Sequence, residues 1–87
     1  MVFLISYDLK ESDRDYARVV AVIKRLGPTL PVLKSVWFVR TGTSANDIRD
    51  ALMASMDETD RFLVSEVTTN CTGRVEQAVW DWVDAQE

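Results

Sequence analysis

The chain has no histidine and only one cysteine, Cys71. Histidine-ligated zinc is therefore excluded within one chain, as are Ser-His and Cys-His catalytic pairs. A lone thiol forms no internal disulfide, so no covalent staple holds the fold. In Thr69-Asn70-Cys71-Thr72-Gly73 the only nearby cation is Arg74, and the thiol reads as a bystander. Glycine occurs three times and proline twice, with no linker, repeat or low-complexity segment. No run of about 18 apolar residues is present, so no membrane helix is expected. The start, Met1 to Tyr7, lacks a basic lead-in and a long apolar stretch, which predicts no signal peptide and a cytoplasmic protein. No Walker loop, GxGxxG or CxxC motif appears, so nucleotide cofactors have no support in the sequence.

What is present is a globular balance: 87 residues, 47% apolar and 28% charged. That length predicts one domain over residues 1–87. So short a chain buries roughly 60–65% of its unfolded surface, and its core is marginal. With no disulfide and no histidine site, the remaining staple is a second copy, and a homodimer is expected. Ten Lys and Arg stand against fourteen Asp and Glu, a net charge of −4. A surface that attracts nucleic acid everywhere is excluded, although a local basic stripe is not.

Hydropathy patterning gives the element order. Val2 to Tyr7 is a short apolar run, rich in β-formers, that ends at Asp8 and reads as a buried strand. Ser12 or Asp13 caps a helix from about Arg14 to Leu26, and Gly27-Pro28 ends it. At about 100° per residue, Tyr16, Val19, Val20, Val22, Ile23 and Leu26 form its apolar stripe. Val32 to Thr41 reads as one strand, or as two separated by a kink at Lys34-Ser35. Ser44 caps a second helix with Ile48, Leu52 and Met56 on its inner face, and Asp47 completes a near capping box. Arg61 to Thr68 alternates as a strand. Val75, Val79, Trp82 and Val83 mark a last helix, with Trp80 off their stripe. A split middle strand gives an α+β, ferredoxin-like βαββαβ sandwich with an additional C-terminal helix.

Three sets of residues could carry chemistry. Asp8, at a strand end, is placed to hold a hard cation such as Mg²⁺, and two copies across a dimer axis would make a stronger site; alternatively it only accepts loop hydrogen bonds. Arg14, Arg18 and Arg25 fall within about 40° of one another on the first helix, either as a phosphate-tracking row or as a solvated face. Tyr7, Trp37, Phe38, Trp80 and Trp82 could stack on bases, but in so small a chain they read first as core or interface. Trp80, which lies off its stripe, wants a partner surface.

The segment Phe3-Leu4-Ile5-Ser6-Tyr7-Asp8-Leu9, followed by a helix and then by Lys34-Ser35-Val36-Trp37-Phe38-Val39, resembles the Cas-two family of small CRISPR-associated proteins. The resemblance spans roughly residues 2–68, leaving 69–87 as a loop and C-terminal helix, and extends to the related virulence-associated D toxins. It implies a ferredoxin-like domain, a symmetric dimer and, in some members, Mg²⁺-dependent cleavage of RNA or DNA. The metal-holding aspartate would be Asp8. A nuclease reading of the chain adds Ser6 or Ser35 lining the cleft and Arg14 and Arg18 on phosphate. Other members of that family are non-catalytic scaffolds, so the fold alone does not decide activity. The alternative reading is a non-enzymatic dimer that binds another protein through its acidic surface and the Trp80 helix.

Overall fold

Alternation along the first strand decides the layering. In β1 (Val2–Asp8), Phe3, Ile5 and Tyr7 point to one face of the sheet, and Val2 and Leu4 to the other. Both sets are largely buried, so both faces need a cover. The computed structural model describes residues 1–10 and 13–86. Of the candidate caps for the first helix, Ser12 lies outside the described residues, as do the side chains of Asp13 and Arg14.

The elements after β1 are α1 (Asp13–Arg25), β2 (Thr29–Leu33), β3 (Val36–Arg40), α2 (Ala45–Met53), β4 (Arg61–Glu66) and α3 (Gln77–Ala85). The segment Val32–Thr41 is split by a turn at Lys34-Ser35, and its first strand begins upstream of the expected start, at Thr29, because Pro31 fits an edge strand. The four strands form one antiparallel sheet in the order β2-β3-β1-β4. This is the ferredoxin-like arrangement, α+β, with an additional C-terminal helix. Pro31 lies in β2, where an edge strand tolerates the missing N–H.

Helices α1 and α2 cover the first face. Val19, Val22 and Ile23 of α1, with Ile48 and Leu52 of α2, pack on Phe3, Ile5, Tyr7 and Val39. The α2 start forms as its sequence implies: Ser44 Oγ accepts the Asp47 N–H at 3.1 Å. Helix α3 covers part of the second face, where Val79, Trp82 and Val83 join Val2, Leu4, Leu30 and Phe38. That cover reaches only one end of the sheet.

One backbone position couples α1 to the sheet. Gly27 has φ +153°, a conformation open to glycine but strained for other residues. A Cβ there would collide with the Arg40 carbonyl. The chain then enters β2 with the Arg40 N–H donating to the Pro28 carbonyl at 2.9 Å.

Candidate functional site

The end of the second face that α3 leaves open carries a row of residues in register across all four strands. Leu33 pairs with Val36, Val36 with Ser6, and Ser6 with Leu63. Directly opposed residues in antiparallel strands share a face, so the four form one band about 14 Å wide at the usual strand spacing. A bulge between Pro31 and Leu33 keeps both Val32 and Leu33 on this side. Leu33 and Leu63 are 57% and 65% exposed, while Ser6 and Val36 between them are half-buried. Solvent-facing leucines thus stand at both ends of one row.

Asp8 borders this row. By strand alternation it shares the face of Ser6, and it pairs in register with Arg61. The two side chains do not neutralise each other. The Arg61 guanidinium instead donates to the carbonyls of Glu58 (2.9 Å) and Asp60 (3.0 Å). Asp8 is exposed, and among the described residues it has no ion-pair partner. Its position is fixed by the loop that follows. Asp60 Oδ1 accepts the Lys10 N–H and Asp60 Oδ2 accepts the Asp57 N–H, both at 3.0 Å. One carboxylate thereby ties the β1 exit to the turn before β4. Asp60 was legible only as part of the acidic turn Asp57-Glu58-Thr59-Asp60; its clamp on a residue fifty positions away was not.

Ser35 lies in the β2–β3 turn at the same end of the sheet, where its carbonyl accepts the Tyr7 N–H at 3.1 Å. The structure thus gathers Asp8, Ser6 and Ser35 at one end. It also brings there Lys10, Lys34 and Arg61, all exposed, which the sequence reading passed over because they are far apart in the chain. Shallow concave surface connects Ser6, Asp8, Arg61 and Leu63.

Two residues of the arginine row, Arg18 and Arg25, project away from the sheet face that carries Asp8. Both are exposed on the side of α1 away from the sheet, since Val19, Val22 and Ile23 face inward. Arg18 stands 4.0 Å from Asp15 in an exposed pair. Helix α1 runs back along the sheet, carrying Arg25 toward the opposite end from Asp8. The side chain of Arg14 is outside the described residues.

Of the aromatics, Tyr7 and Phe38 are buried and Trp37 and Trp82 are half-buried in the two cores. They are packing residues, not a stacking platform. Trp80 is half-buried and stays outside the α3 apolar stripe. Cys71 is half-buried against the α3 side.

Asp8 offers one carboxylate, and among the described residues no three His, Cys, Asp or Glu side chains converge. Magnesium is commonly held by one or two carboxylates together with substrate phosphate, so two Asp8 side chains across a two-fold axis would suffice.

No family model matches the chain, and no curated protein matches it. Among solved structures, the hypothetical protein TT1823 from Thermus thermophilus is similar in fold. Its TM-score is 0.64 at 18% identity, covering 86% of this chain and 93% of that one. Among the described residues no helix is long and apolar enough to cross a membrane.

Proposed function

We propose that the chain works as a homodimer that binds RNA or DNA and cleaves a phosphodiester with magnesium held between the two Asp8 carboxylates. The observation that carries this reading is the exposed, unneutralised Asp8 beside an uncovered apolar row. Burying Leu33, Val36 and Leu63 against the same row of a second copy would remove apolar surface from water and bring the two sheet ends toward one axis.

Bound there, the cation would supply Lewis-acid stabilisation of the charge that develops on the phosphoryl oxygens. The chain's own groups do the rest. Lys10, Lys34 and Arg61 offer cations to the neighbouring phosphates. They share an end of the sheet with Asp8, whereas Arg25 lies toward the other end of α1. Ser6 lies two residues before Asp8 on the same face, and its hydroxyl can orient a phosphate oxygen or a water. The net charge of −4 keeps such binding weak and salt-sensitive.

The test is cleavage of labelled single-stranded RNA and duplex DNA with magnesium or manganese. Wild type should cut at least one substrate, and Asp8→Asn should lose at least about a hundredfold in rate with unchanged circular dichroism. Full activity in Asp8→Asn, or none in wild type on any substrate, would refute the proposal.

A further inference from the structure

All of the chain's excess negative charge lies in its last thirteen residues. Up to Arg74, acidic and basic residues number ten each; Val75–Glu87 contains Glu76, Asp81, Asp84 and Glu87 and no lysine or arginine. This segment holds α3, so the helix projects a field of one sign from an otherwise balanced molecule.

The helix also carries a cavity of about 230 Å³. Trp80 forms one wall, the loop residues Thr68, Thr69 and Cys71 another, and Asp84 stands at the edge. Trp80 and Asp84 are four residues apart, so they lie on the same side of the helix. Asp84 sits in the last turn of α3, at the negative end of the helix dipole, where no basic residue offsets it. Asp81 accepts a hydrogen bond from Gln77 Nε2 at 3.2 Å, whereas among the described residues the Asp84 carboxylate has neither a hydrogen bond nor an ion pair. An indole beside a carboxylate that has no pairing cation among the described residues matches a planar cation. A guanidinium stacks on the ring and directs its N–H groups to the carboxylate, which a compact ammonium does less well.

We propose that this cavity receives an arginine side chain presented by a basic segment of another protein. Phosphate groups would be repelled by the same field, so a nucleic acid is the wrong occupant for this surface. The site lies over the α3-covered part of the sheet and needs neither Asp8 nor catalysis.

The probe is an alternating arginine–glycine peptide titrated into the full-length protein by calorimetry, at low and at physiological salt. Binding should weaken with salt, and a lysine–glycine peptide of the same length should bind less tightly. Trp80→Leu and Asp84→Asn should each lower affinity about tenfold, while Trp80→Phe retains part of it. Asp81→Asn removes the same formal charge outside the cavity and should change affinity by less than about twofold. Circular dichroism checks that each variant folds, and Trp80→Phe keeps the test open should Trp80→Leu not fold. The proposal is overturned if wild type binds no arginine peptide. It is equally overturned if Asp81→Asn and Asp84→Asn lose affinity alike while both Trp80 variants lose none, since that is diffuse attraction. Displacement of the peptide by an oligonucleotide in a Trp80-dependent way would assign the cavity to nucleic acid instead.

Discussion

Trp37 donates its indole N–H to the phenol oxygen of Tyr7 at 3.1 Å, joining the two central strands on the helix-covered face. The Tyr7 ring packs at a tilt on Tyr16, with centroids 5.7 Å apart, and Lys24 Nζ lies 5.8 Å from the centre of the Trp37 ring. Burial pushes the Tyr7 phenol above its ordinary value. The Trp37 hydrogen bond pulls it back in part, and Tyr16 adds to the rise. A group whose folded value is raised contributes stability that is fully present below its unfolded value, about 10 for tyrosine, and lost as pH rises through the folded value. The melting temperature should therefore be insensitive to this group at neutral pH and fall above about pH 10. Tyr7→Phe should cost about 1 kcal/mol at neutral pH, because Trp37 loses its acceptor, and should shrink the alkaline loss. An unchanged alkaline limb in Tyr7→Phe would assign that loss to other groups.

Gly27 offers a sharper test of the packing. Gly27→Ala both strains the backbone at φ +153° and drives a methyl group into the Arg40 carbonyl. We expect a loss of at least about 2 kcal/mol in urea unfolding, a large share of the stability of so small a domain. Gly42→Ala and Gly73→Ala, where an added Cβ meets nothing, should stay within about 0.5 kcal/mol. Equal effects at all three positions would contradict this geometry.

Leu63 tests the dimer surface. It is 65% exposed on β4, so Leu63→Lys should leave the isolated chain's stability within about 0.5 kcal/mol. In analytical ultracentrifugation wild type should sediment as a dimer and Leu63→Lys as a monomer. A variant that remains dimeric would move the interface away from the Leu33–Leu63 row.

Local chemistry made most of the fold readable. The run Val2 to Tyr7, the α1 stripe, the Ser44 cap and the alternation of Phe62 and Val64 against Leu63 and Ser65 all appear as elements with the faces implied. Whether the middle strand was one or two depended on the Lys34-Ser35 turn, whose pairing with the end of β1 is nonlocal. The last helix starts at Gln77, and Val75 packs from the preceding loop, because an apolar residue can serve a core from either conformation. For the site, Asp8 and Ser6 were legible because both sit on one strand. Lys34, Asp60 and Arg61 join them only through sheet register and loop closure, which spacing along the chain does not reveal. The arginine row was visible as a helix face, but which way that face pointed relative to Asp8 depended on the layer to which α1 docked.

The central claim is that two Asp8 carboxylates share a cation in a dimer. The most direct test is thermal unfolding of wild type and Asp8→Asn at two protein concentrations, with and without millimolar magnesium. A ligand that binds only the native state raises the melting temperature, here by a few degrees for a site of about millimolar affinity. The account predicts melting that rises with protein concentration in both proteins, and a magnesium-dependent rise in wild type that Asp8→Asn abolishes. A magnesium effect of equal size in Asp8→Asn, no magnesium effect in wild type, or melting independent of protein concentration would contradict it.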